Sequence, residues 1–217
     1  MTFRILVVCS ANVCRSPLVA AQLAAQLDFT ETGRMVSIES AGLDAVCGQL
    51  ACAEMARLAE AHGLPTGPLR EHRSRRLTLD QLTVADLIVT SDRRVRSAVL
   101  TMAPLGAPLA APHVFTVREA AALAERVGPQ VRGASVEECL WSCVASMHAS
   151  RGLTELPRTR HLVLLPVAWR PLAVHDHDIP DAHQHDLAPH RIVDRIAVGA
   201  TRQLSRGLSA GAMARTG

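Results

Sequence analysis

The chain contains no tyrosine and no lysine, and aromatic residues make up only 2% of its 217 positions. A surface that binds nucleic acid by stacking bases needs aromatic rings interleaved with clustered cations. Here every basic residue other than histidine is an arginine, the arginines are scattered, and the net charge is +3. No nucleic-acid partner is therefore expected. No apolar run approaches the length of a membrane span, and the short run after Arg4 does not have the shape of a signal peptide. Six cysteines are too few, and two of them too close together in one loop, for a disulfide framework; they point to a reducing, cytoplasmic setting without membrane attachment. What is present, 48% hydrophobic and 20% charged residues, suits one globular domain over residues 1–217.

Short apolar runs alternate with helical patterns, which predicts a parallel sheet covered by helices. Strands are expected at Arg4 to Cys9, Met35 to Ser40, Asp86 to Thr90 and Pro112 to Val117. Helices are expected from Pro17 (with Val19, Leu23 and Leu27 on one face), over Leu50 to His62, Arg93 to Met102, Arg118 to Val127 and Val136 to Arg151. Leu162 to Trp169 reads equally as strand or coil, because Pro166 interrupts it. Ile192, Val193, Ile196, Ala197, Ala200 and Leu204 mark a final amphipathic helix. Ser209 to Gly217 reads as a frayed, flexible tail. The fold class is α/β in three layers, a four-stranded parallel sheet with helices on both faces.

The stretch VVCSANVCRSP, Val7 to Pro17, carries the chemistry. A strand that feeds a tight loop and then a helix start aims backbone N–H groups and the helix dipole at one point, which attracts an anion. Cys9 sits at the mouth of that cradle, where the same field favours the reactive thiolate. The planar fork of Arg15 can hold two oxygens of a phosphate, and Ser16 can donate its hydroxyl to the sulfur. Phosphorus would then face a nucleophile, an arrangement suited to attack on phosphate esters.

This stretch resembles the signature of the low-molecular-weight protein-tyrosine phosphatase family, Cys-x5-Arg-Ser-Pro at the end of the first strand. ESAG at Glu39 to Gly42, EHRSRRLT at Glu71 to Thr78, ADLIVTSD at Ala85 to Asp92 and DIPDAH at Asp178 to His183 follow in the family's order. The resemblance implies Cys9 as nucleophile, Arg15 as transition-state clamp and Asp181 as proton donor to the leaving oxygen. It makes Ser10, Ala11, Asn12, Val13 and Cys14 the phosphate loop. Asn12 would hold the strained turn, Ser16, Ser40 and His72 would support it and lower the thiol pKa, and Asp92 would lie beside it. A phosphocysteine intermediate follows, with a phosphorylated protein or small phosphate ester as substrate and no cofactor. The resemblance also suggests that Cys14 can pair reversibly with Cys9 under oxidation.

The chain departs from the family pattern in four places. Ala11 stands where many members have glycine, tolerable if its φ stays negative. Asp181-Ala182-His183 replaces Asp-Pro-Tyr, and Val46 and Cys47 replace another aromatic, so Val46, Cys47 and His183 become the expected substrate wall. Residues 128–174 read as an insertion near the mouth of the site, either a helix packed at the periphery or a lid or partner surface. His175, His177, His183, His185 and His190 are interspersed with four aspartates, yet no tetrahedral ligand spacing is visible, so no metal is assigned and a solvated, pH-sensitive loop is expected. Cys47 and Cys52 read as loop or helix thiols, and Cys139 and Cys143 as core packing. Two alternatives stay open: an arsenate-reductase-like oxyanion enzyme, disfavoured because no cysteine lies between Cys52 and Cys139, and a phosphate-binding regulator without turnover.

Overall fold

The computed structural model describes residues 2–102, 113–153, 160–165, 168–173, 175–183 and 189–213; Pro112, His185 and residues 214–217 of the sequence reading lie outside them. Strands β1 (Phe3–Cys9), β2 (Val36–Gly42), β3 (Leu87–Thr90) and β4 (Val114–Thr116) form one sheet in the order β2-β1-β3-β4, every pair parallel. Successive strand residues face opposite sides, and the two cores follow that alternation. Phe3, Ile5, Val7, Leu87, Val89 and Phe115 face one side, where α1 (Arg15–Leu27), α3 (Ala53–Ala61), α7 (Val117–Val127), α8 (Val136–Ala149) and α9 (His190–Met213) cover them. Leu6, Val8, Ala41, Ile88 and Val114 face the other, under α5 (Leu79–Val84) and α6 (Arg93–Thr101). The expected three layers and four parallel strands are present.

Two short helices, α2 (Glu31–Met35) and α4 (Gly67–Glu71), and a 3-10 turn at Gly128–Gln130 complete the helical set among the described residues. Capping boxes start α5, at Thr78 and Gln81, and α7, at Thr116 and Glu119. No helix among the described residues is long and apolar enough to cross a membrane.

Three expectations need correction. The helix at Leu50 is shorter at its start: Leu50 to Cys52 stay extended, and Cys52 is the N-cap of α3. The final helix does not end at Leu208 but runs to Met213, with Ser209 buried. The reason is tight packing: a Cβ on Gly207 would sit 2.4 Å from the Ala124 carbonyl carbon of α7, so the two helices approach closely along this stretch. The inserted helix α8 is neither a lid nor a peripheral ornament. Cys139, Leu140, Cys143, Val144 and Met147 lie in the main core, where burial pushes the Cys143 thiol up to about 12. Trp141 packs edge-on against Phe3 at 6.0 Å. Phe3 is the first residue of β1, roughly 20 Å along the strand from Cys9, so α8 braces the end of the sheet opposite the site. Of the ambiguous Leu162 to Trp169 stretch, Pro166 lies outside the described residues and the described parts belong to an antiparallel pair, β5 (Arg160–Leu165) and β6 (Ala168–Ala173), with Arg160 opposite Ala173.

Candidate active site

Cys9 ends β1 and is buried. Its sulfur accepts a hydrogen bond from the Asn12 backbone N–H at 3.2 Å and lies 3.0 Å from the Ser16 hydroxyl. The Asn12 amide donates to Ser16 Oγ at 2.9 Å, which leaves the Ser16 hydrogen free to point at the sulfur. No side chain caps α1 among the described residues and its first turn holds no acid, so the N–H groups there remain available to an anion.

Asn12 is the only described non-glycine residue with positive φ, at 55°. Four contacts hold that left-handed turn. Its amide also donates to Ser40 Oγ at 2.9 Å, its Oδ1 accepts the Arg75 N–H at 2.9 Å, and His72 Nε2 lies 2.7 Å from its carbonyl. Burial, helped by the nearby Arg75 and Arg73, holds His72 below the usual histidine range; the neutral ring then donates Nε2–H to that carbonyl. Ala11 does not share the left-handed conformation, so the replacement of glycine there carries no backbone strain.

Gly42, at the end of β2, backs the loop: a Cβ there would lie 2.5 Å from the Ser10 carbonyl oxygen and 2.8 Å from Asn12 N. Beyond the loop itself, the Leu43 and Asp44 N–H groups tie down the Cys9 and Ser10 carbonyls at 3.0 and 2.9 Å. Gly42 was not singled out as a site residue from sequence, although the ESAG motif contains it.

Arg15 is buried and two-handed. Nη1 donates to Asp92 Oδ2 at 2.8 Å and Nη2 to Asp181 Oδ2 at 2.5 Å. Asp92 is fixed in turn by the Ser91 hydroxyl and by capping α6 through the Val95 N–H at 2.9 Å. The loop that carries Asp181 is anchored on its N-terminal side. Ile179 is fully buried and its N–H donates to the Ser91 carbonyl, while Arg93 grips Asp178 through its backbone N–H, Nε and Nη2. Arg118 Nη1 donates to the His175 carbonyl at 2.9 Å. Neither Arg93 nor Asp178 was assigned a site role from sequence, because an ion pair across 85 positions leaves no local pattern.

A cavity of about 560 Å³ opens over this cluster, lined by Cys9, Ala11, Val13, Cys14, Arg15, Gln49, Leu50, Asp181 and His183. Cys9, Arg15 and Asp181 thus converge, as do Ser16, Ser40, His72 and Asp92 behind them. The expected wall is only partly right. His183 lines the cavity, but Val46 and Cys47 are exposed outside it, because the loop turns at Gly48 (φ 88°) and presents Gln49 and Leu50 instead.

The Cys14 and Cys52 sulfurs lie within 4.8 Å of each other. The neighbouring Cys52, together with burial, pushes the Cys14 thiol up, while Cys14 in turn draws the Cys52 thiol down against the effect of burial. The bridge that aligns them is the Cys52 N–H bond to the Val13 carbonyl at 2.8 Å.

The family model described as low molecular weight phosphotyrosine protein phosphatase matches residues 4–125. The probable low molecular weight protein-tyrosine-phosphatase EpsP of Ralstonia nicotianae is 34% identical over 100 residues, 46% of this chain and 63% of that protein. The low molecular weight protein-tyrosine phosphatase A of Mycobacterium bovis is 37% identical over 87 residues, 40% of this chain and 50% of that one. The chain thus spans one half to under two thirds of these relatives. The crystal structure of the Erwinia amylovora tyrosine phosphatase amsI shares the fold, with a TM-score of 0.59 at 19% identity over 96% of this chain and 95% of that one.

Proposed function

Because the chain belongs to the low molecular weight phosphotyrosine protein phosphatase family, we propose that it hydrolyses phosphate monoesters, with protein phosphotyrosine as the substrate class. The supporting observation is the convergence of the Cys9 sulfur, the Arg15 guanidinium and the Asp181 carboxyl on one cavity.

Phosphate oxygens compete with Asp181 for Arg15 Nη2 and take the N–H groups of the loop and of the first turn of α1. Asp92 keeps hold of Nη1, so the fork stays aimed while Asp181 is released. The Cys9 thiolate attacks phosphorus, the bond to the ester oxygen breaks, and protonated Asp181 gives its proton to the departing alcohol. A water then attacks the phosphocysteine as Asp181 takes its proton, the S–P bond breaks, and inorganic phosphate leaves. The Ser16 hydroxyl stabilises the sulfur as it departs. Leu50 and His183 flank the path of the leaving group in place of the aromatic rings of other members. Six free thiols fit a reducing, cytoplasmic setting.

The test is hydrolysis of an aryl phosphate and of a phosphotyrosine peptide. Vanadate should inhibit it, Cys9→Ser should abolish it by at least about 10³-fold, and Asp181→Asn should lower kcat by about 10²-fold. Tight phosphopeptide binding by the unaltered protein without phosphate release would instead establish a regulator.

A further inference from the structure

Four metal-ligating side chains meet at the rim of the cavity, and two of them, Cys14 and His183, also line it. Cys14 from the phosphate loop, Cys52 from the N-cap of α3, His183 from the Asp181 loop and His190 from the first turn of α9 each offer one ligand atom, and all four atoms lie within 4.8 Å of one another. We propose that these residues form a Cys2His2 site for a tetrahedral divalent cation of the zinc class, which fastens the Asp181 loop to the phosphate loop.

The chemistry of the donor set favours this ion. Two thiolates and two imidazoles are the ligands of closed zinc sites and are poor ligands for magnesium or calcium. The two thiolate charges balance a divalent ion, so the partly buried site carries no net charge. The geometry agrees at the histidine edge. Bonds of about 2.0–2.1 Å to nitrogen and about 2.3 Å to sulfur at tetrahedral angles require an N···N edge of roughly 3.3 Å and an S···S edge of roughly 3.8 Å. The Nε2 atoms of His183 and His190 lie 3.3 Å apart, and their rings stand nearly perpendicular at 81°. Both lone-pair directions can therefore point to a common centre without the rings colliding.

The four ligands also come from four different segments, three of them separately fixed. Val13 holds the Cys52 backbone beside the phosphate loop, and α9 is packed on α1 and α3 through Val193 and Ala197. Only the His183 arm is held loosely, by its own N–H bond to Asp181 Oδ1 at 2.9 Å. An ion that takes up His183 would fix this bond and with it the orientation of the Asp181 carboxyl. With four protein ligands there is no open position for water, so the role is structural. Cys14 and the remaining ligands are graded from buried to exposed, which leaves an entry path from solvent.

The test uses the full chain, stripped with a chelator under reductant and titrated with cobalt(II), then zinc(II). Expected are one ion per chain, the strong visible bands of tetrahedral cobalt and a thiolate-to-cobalt charge-transfer band in the near ultraviolet, all displaced by zinc. Cys52→Ser should roughly halve the charge-transfer band, His190→Gln should preserve it while shifting the visible bands, and each should weaken binding by more than about 100-fold. Cys47→Ser should change nothing. Zinc should raise the Tm of the parent and of Cys47→Ser but not of the two ligand variants, whose metal-free melting reports whether they fold. Weak octahedral cobalt bands, or binding that survives both ligand substitutions in folded protein, would overturn the proposal.

Discussion

Gly42 is the backstop of the phosphate loop. A methyl group at this position would meet three loop backbone atoms between 2.5 and 2.9 Å away, and backbone cannot yield as a flexible side chain does. Gly42→Ala should cost about 1–3 kcal/mol of stability and displace the N–H groups proposed to receive phosphate. Urea unfolding together with aryl phosphate turnover checks this; parent-like values in both would show that the loop can shift freely. Much of the site at this scale was legible in the sequence. Cys9, Asn12, Arg15 and Ser16 lie within eight consecutive positions, and a strand-loop-helix context leaves them few ways to be arranged. Leu50, Gln49 and the nearness of Cys52 to Cys14 were not legible. They depend on where the turn at Gly48 sends the chain and on a backbone bond from Cys52 to Val13, and neither leaves a trace in residue spacing.

At the scale of elements, the segment that carries Asp181 behaves as a strap held by its N-terminal half. Asp178 is pinned by three donors of Arg93, and Ile179 is inserted into the core. Arg93→Ala should therefore loosen Asp181, the proposed proton donor, without touching the Cys9 loop. The expected outcome is a fall of about tenfold in both kcat and kcat/KM with KM nearly constant, read from steady-state kinetics. A rise in KM alone would place the role of Arg93 in binding. Long elements with a clear period or apolar run, such as β1, α1 and α7, were readable from sequence to within a few residues. Helices α4 and α5, of five and six residues, span too little of a helical period to register. The placement of α8 was misjudged because its amphipathic pattern reveals that it packs, not against what. Phe3 supplies that answer from the far end of the sheet.

On the scale of the whole molecule, three histidines in separate regions are held below their ordinary value of 6.5, in each case chiefly by burial: His72 behind the loop, His113 ahead of β4 and His177 beside the Asp181 strap. Their protons bind first to the unfolded chain. Stability is thus full above about pH 6.5 and falls as the pH drops from there toward the lower folded-state values. Urea midpoints should hold between about pH 7.5 and about pH 6.5 and decline from there to about pH 5.5, and a flat profile would mean that these rings are solvated. The three-layer plan itself was legible, since alternating strand and helix patterns admit few topologies. The closing of the structure by α9 was only partly so, because Gly207 reveals its purpose only against Ala124. The ion pair between Arg15 and Asp181 joins positions 166 apart. The loop that holds Cys9 and Arg15 and the segment that carries Asp181 are thus built on distant parts of the sequence and meet only through the folded core. Loosening the later segment alone would uncouple Asp181 from an otherwise intact Cys9 loop.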